Sequence, residues 1–179
     1  MVSLSFMGFF HLEVLLSRKL TSVTITAEYL RITLEKAKND QERKGNEIFI
    51  ARLENKYCPV KLVEEFWSQV GLSGKIDKEA FLISRLHKTK YGHAASKSKG
   101  ISQTTAREDF NWLTEPMKES GRSFTPHSLR AGGASMAIQN GISERPVSKH
   151  ERWRSERARN GYILDSKESR LCVTRALGL

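Results

Sequence analysis

Hydrophobic positions change period along this chain, and the changes mark out its elements. Residues 3–17 place Leu4, Met7, Phe10 or His11, Val14 and Leu15 three and four apart, the spacing of a helix with one wide buried face. Val23 and Ile25 open a β-region. In YLRITLEKAK (29–38) Leu30, Ile32 and Leu34 then alternate with Arg31, Thr33 and Glu35, as a half-buried strand requires. The polar stretch 39–46, with Gly45, predicts a turn, and EIFIARL (47–53) a returning strand, so Lys38 sits at the end of one hairpin arm beside the turn.

Helical spacing then resumes. Cys58-Pro59 predicts a helix with proline in its first turn, with Leu62, Val63, Phe66, Trp67 and Val70 as its apolar face and Gly71 at its end. Residues 83–100 carry Arg85, Lys88, Lys90, Lys97 and Lys99 without an acid, net +5, and read as a basic loop or short hairpin. A helix over 102–119 offers Phe110, Trp112, Leu113 and Met117, with Pro116 near its end. Thr125-Pro126 supplies an N-cap and first-turn proline for a helix over about 127–140, closed by Gly141. Ser143 caps a short helix to about Lys149, Ser155 another from Glu156 to about Leu164, and a weakly apolar helix covers about 166–176. The expected class is α+β, mainly helical, with a small antiparallel sheet of about three strands near the N-terminal third, in one domain over 1–179.

Composition narrows the partners. The 39% hydrophobic and 28% charged content of these 179 residues is that of a soluble globular protein. The 30 Lys and Arg against 20 Asp and Glu, a net charge of +10, favour a polyanion, nucleic acid first. Two distant cysteines, Cys58 and Cys172, without a CxxC pair argue against a disulfide framework or structural zinc, and for a nuclear or cytoplasmic rather than secreted setting. The apolar N-terminus lacks a basic leader and a cleavage site, and His11 and Glu13 interrupt it. It reads as a core helix rather than a signal or membrane span.

Chemistry concentrates between Thr125 and Ile163. His127 and Arg130 leave one helix face near its N-terminal end, where the dipole and free N–H groups already attract anions. Arginine adds a planar fork for two phosphate oxygens, and histidine can donate a hydrogen bond or move a proton. A surface arginine and a capping histidine are the plainer alternative. Trp153, whose indole only donates, is either a phosphate ligand or core, and Tyr162 either a reactive phenol or a half-buried ring with a wet hydroxyl. Lys38 alone would be a solvated turn lysine. Residues 145–159 hold six basic side chains (Arg145, Lys149, Arg152, Arg154, Arg157, Arg159) against Glu151 and Glu156, net +4. Together with 83–100 they suggest a phosphate-backbone footprint, or else a solvated charged face.

The combination resembles the catalytic domain of the tyrosine recombinases (the phage integrase family), especially the versions carried by animal mobile elements. HSLR (127–130), Trp153, Tyr162 nine residues later, the KAKND hairpin lysine and the FMGFFHLEVLL helix stand in that family's order and cover nearly the whole chain. The resemblance implies DNA strand cleavage and rejoining, in recombination or integration, through a 3′-phosphotyrosyl intermediate. Tyr162 would be the nucleophile and Arg130 the clamp on the non-bridging oxygens. Lys38 would protonate the leaving 5′-oxygen, His127 assist proton transfer, and Trp153 donate to the phosphate. Neither metal nor nucleotide cofactor is implied, because the covalent bond stores the phosphodiester energy. Arg152, Arg154, Arg157, Lys88 and Lys90 would bind DNA. The expected partners are double-stranded DNA and, through the C-terminal segment, further copies on DNA, with no membrane.

Two departures qualify that picture. Where the family carries its first arginine, after paired phenylalanines and shortly before an acid, this chain reads Phe10-His11 with Glu13. An imidazole does not replace a permanently charged bidentate guanidinium, and Arg18 lies two turns later without the following acid. The family's N-terminal core-binding domain is also absent from these 179 residues, which suggests a truncated or decayed element-derived product. Impaired catalysis, a catalytically inactive DNA-binding remnant and a type IB topoisomerase-like relaxer therefore stand beside a full recombinase.

Overall fold

The computed structural model describes residues 1–34, 46–72, 77–121 and 123–152. Lys38, Trp153, Arg154, Arg157 and Tyr162 lie outside them, as do the hairpin turn and the two helices expected beyond Ser155.

The N-terminal apolar run forms two helices, not the one its period predicts: α1 (Val2–Met7) and α2 (Leu12–Leu16). The break lies at Gly8–His11. A Cβ on Gly8 would sit 2.3 Å from the Phe10 ring, so only glycine lets that ring fold back beneath α1. Phe9 takes φ 49, a left-handed conformation that a bulky residue adopts only under tertiary constraint. Leu4, Phe10 and Leu15 still enter the core. The burial was foreseeable; the break between them was not.

Strands β1 (Val23–Ile25), β2 (Tyr29–Leu34) and β3 (Asn46–Ala51) form an antiparallel sheet in that order. The register places Leu30 opposite Ile50 and Ile32 opposite Ile48, so the inward residues of the period-2 pattern meet across the ladder. They pack with Leu4, Phe10 and Leu15, and with Cys58, Val60 and Val63 at the start of α3 (Pro59–Gln69). Leu62, assigned to the apolar face of α3, is exposed instead, and Val60 takes its place inside. Gly71, at φ 70, follows the helix end.

The basic segment is a hairpin, β4 (Ser84–Thr89) with β5 (Gly92–Gly100), so the structure has a second, two-stranded sheet. Ala95 N–H donates to Val70 O at 3.2 Å and ties the hairpin to the end of α3. Arg85, Lys88, Lys90 and Lys99 are exposed, while Lys97 pairs with Asp77 at 2.8 Å.

Helix α4 (Gln103–Thr114) is capped by Ser102, whose side chain accepts from Thr105 N–H, and tightens into a 3-10 turn over Glu115–Ser120 that accommodates Pro116. Its buried side is Ala106, Phe110 and Thr114. Trp112, 78% exposed, and Leu113 and Met117 face outward, against the sequence expectation. Helix α5 (Pro126–Gln139) begins at a capping box of Thr125 and Ser128, and Gly141 at φ 84 follows its end. Helix α6 (Glu144–Glu151) runs two residues past the predicted Lys149. Helix α1 lies on α5 at backbone contact: a Cβ on Gly133 would stand 2.3 Å from Phe6 O. Phe9, Ala134 and Val147 form a small core beside that seam. No helix of the described residues is long and apolar enough to cross a membrane.

Candidate functional site

The site grows from the break between α1 and α2. The left-handed turn at Phe9 removes its carbonyl from helical pairing, and two guanidiniums take that carbonyl up. Arg130, on the second turn of α5, donates from Nη1 to Phe9 O. Arg152, just past α6, donates from Nη2 to the same oxygen at 3.1 Å. Arg152 reaches it because its own backbone is left-handed, φ 65, at the C-cap of α6, and its guanidinium lies over the Phe10 ring, 5.4 Å from the centroid.

A buried acid balances the pair. Arg130 Nη2 donates to Glu151 O at 2.9 Å and pairs with the Glu151 carboxylate. Arg130 is 5% exposed and Glu151 fully buried. Burial pushes the Glu151 carboxyl up to about 7, against the pull of Arg130 and Arg152. Burial, then repulsion from Arg130, draws Arg152 down to about 10, although Glu151 acts in the other direction.

Three histidines surround the break. His127, exposed at the start of α5, stacks on His11, the N-cap residue of α2, with centroids 5.6 Å apart and planes at 30°. Burial lowers the pKa of His11, and Arg130, His127 and Arg152 lower it further, with Glu13 opposing. All of these influences but Glu13 favour the neutral imidazole at position 11. His150 is held by an Nε2 contact to Met7 O at 2.9 Å and by an edge-on contact with Phe9, centroids 4.7 Å apart. Its pKa is also lowered, by burial first.

His127 and Arg130, one turn apart on α5, differ in burial. Their helix face is split: His127 stands at the surface, and Arg130 lies behind it, held by Phe9 and Glu151. Arg18 lies past the end of α2, and its Nε donates to Val14 O at 3.0 Å. Lys88 and Lys90 belong to the exposed β4–β5 hairpin. Beside the histidines opens a cavity of about 650 Å³ lined by His11, Glu13, Gln103, Arg107, Thr125 and His127 among others. Its wall from α4 is a polar face, Gln103, Arg107 and Asn111, four residues apart. The described residues hold no group of three or more His, Cys, Asp or Glu side chains placed to bind a metal ion.

Sequence reasoning missed Phe9 O, His150, Arg107 and the buried role of Glu151. Only two signals pointed to them: Gly8-Phe9-Phe10 inside a helical run, and an acid adjoining Arg152 in a basic one.

No protein-family model matches the sequence, and no curated protein does. Solved structures do match. XerA recombinase superposes with a TM-score of 0.68 at 16% identity, over 97% of this chain and 54% of that one. XerH site-specific recombinase bound to its difH substrate gives 0.63 at 14%, over 90% of this chain and 40% of that one. The Tn1549 transposon integrase in complex with a circular intermediate DNA gives 0.58 at 10%, over 98% and 57%. At these identities the likeness is one of fold, and the fold expected from the resemblance to tyrosine recombinases is the fold observed. The chain spans roughly half the length of these recombinases or less.

Proposed function

We propose that this chain binds double-stranded DNA and cleaves and rejoins its strands through a 3′-phosphotyrosyl bond, in the manner of a tyrosine recombinase catalytic domain. The observation that carries the reading is the meeting of His127, Arg130 and Arg152 at the α1–α2 break, in a fold shared with DNA recombinases. In the reaction the Tyr162 oxygen attacks the scissile phosphorus and the bond to the 5′-oxygen breaks. His127 assists removal of the phenolic proton, and Lys38 protonates the leaving 5′-oxygen. Arg130 and the Trp153 indole stabilise charge on the non-bridging oxygens. Arg154, Arg157, Lys88 and Lys90 hold the flanking backbone. Copies associate on DNA through the C-terminal segment, in the nucleus or cytoplasm.

Because Arg130 pairs with the Glu151 carboxylate, a phosphate at Arg130 competes with that carboxylate. A nicked suicide duplex, which loses its leaving strand after cleavage, is expected to trap a covalent adduct that Tyr162→Phe abolishes. A second reading, a DNA-binding remnant without turnover, is favoured by a histidine of lowered pKa at position 11 in place of a guanidinium. It gives salt-sensitive duplex binding without adduct and recovery of cleavage in His11→Arg. Relaxation of a plasmid without a target site would instead indicate the topoisomerase-like reading.

A further inference from the structure

A pentavalent phosphorane spreads charge over its non-bridging oxygens, and one guanidinium fork satisfies them only in part. The family resemblance looks for a second guanidinium at position 11, where this chain has a histidine. The structure nevertheless holds two guanidiniums side by side. Arg130 and Arg152, from different helices, donate to one carbonyl, Phe9 O. One carboxylate, that of Glu151, lies in the field of both.

We infer that Arg152 is the second phosphate-clamping guanidinium of this site, in place of an arginine at position 11. The inference rests on the DNA-phosphate reading above and assigns Arg152 to the reacting phosphate rather than to the flanking backbone.

Four observations support it. The left-handed backbone at Arg152, just past the end of α6, directs its side chain back over Phe10 toward the site. A side chain serving only general DNA attraction gains nothing from that desolvation, because a solvent-exposed arginine attracts phosphate equally well. Arg152 Nη1 is buried and has no hydrogen-bond partner among the described residues, which leaves a donor for an incoming oxygen. The Glu151 carboxylate pairs with Arg130 and lies in the field of Arg152, so an acidic oxygen is already held beside this pair of guanidiniums. Finally, the two arginines together with the lowered pKa of His11 place the permanent charge on Arg130 and Arg152, not on position 11.

The test uses the full chain and a pool of nicked duplexes of randomised sequence. A matched pool carries a methylphosphonate at the nick-flanking scissile position, with one charged oxygen replaced by a neutral methyl group. Arg152→Ala is expected to lower adduct formation on the phosphate pool by about 100-fold. Arg152→Lys should recover only part of it, since charge returns without the fork. On the methylphosphonate pool most of the loss should vanish, because the charge to be clamped is gone. Equal loss on both pools would mean that Arg152 serves packing against Phe10, and no loss would mean that it stands outside the reaction; either overturns the inference. If the unsubstituted chain forms no adduct on either pool, the strand-cleavage reading fails. The phosphate contact is then decided by the salt dependence of duplex binding. A fall of about 0.9 in its slope in Arg152→Gln supports the contact, and an unchanged slope overturns it.

Discussion

Glu151 is the residue on which the site depends most. A fully buried carboxylate held by Arg130 is costly to break from one side, because the partner charge stays behind in a medium that cannot solvate it. Glu151→Leu is therefore expected to cost about 3–5 kcal/mol in urea unfolding, whereas Glu151→Leu combined with Arg130→Met should regain most of that loss. A single variant as mild as a surface change would contradict the buried pair. The pH dependence has a defined sign. A carboxyl raised in the folded state to about 7 from 4.5 contributes stability that is fully present below about 4.5 and lost as pH rises through 7. His11 and His150, lowered from 6.5, contribute stability that is present above 6.5 and lost as pH falls. The stability of the wild-type chain relative to Glu151→Gln should therefore increase between about pH 8 and about pH 5, as read from urea midpoints. A difference that stays constant across that range would contradict a shifted Glu151.

At the scale of elements, the seam between α1 and α5 sets where the Phe9 carbonyl stands. Gly133 leaves no room for a methyl group, with Phe6 O at 2.3 Å and a Phe9 ring carbon at 2.7 Å from an added Cβ. Gly133→Ala should therefore part the helices and cost about 1–3 kcal/mol, with weakened protection of Phe9-flanking amides in hydrogen exchange. Gly132→Ala, whose Cβ would meet Phe6 at an ordinary 3.5 Å, is the control. The elements differ in how readable they were for a related reason. Helix α5 was legible because both its ends are local signals, Thr125-Pro126 and Gly141. Strands β1 to β3 were legible because Leu30, Ile32 and Leu34 alternate strictly. The α1–α2 break was not, since the helical period continues through Gly8–His11 and only the packing of Phe10 interrupts it. Helix α4 misled because Leu113 and Met117 continue from Phe110 at helical spacing, while the buried side joins Phe110 to the smaller Ala106 and Thr114.

For the molecule as a whole, charge is the feature that sequence and structure share most directly. The net +10 was legible at once, and the β4–β5 hairpin displays much of it, with Lys97 partly offset by Asp77. Lys88→Glu with Lys90→Glu should weaken duplex binding and lower its salt slope by about 0.9 for each phosphate that is no longer neutralised. An unchanged slope would place the hairpin off the DNA. Of the site, the placement of His127 and Arg130 one turn apart on a single helix was legible from their three-residue spacing. The burial of Arg130 was not, because it depends on a carbonyl and a carboxylate 121 and 21 residues away in sequence.

The most direct measurement is covalent capture on a nicked suicide duplex of randomised sequence, with the unsubstituted chain beside Tyr162→Phe. Strand cleavage by this site predicts a protein–DNA adduct that withstands denaturation, carries the 3′-phosphate side of the nick, and disappears in Tyr162→Phe. An adduct that persists in Tyr162→Phe, or duplex binding with no adduct at all, would contradict it.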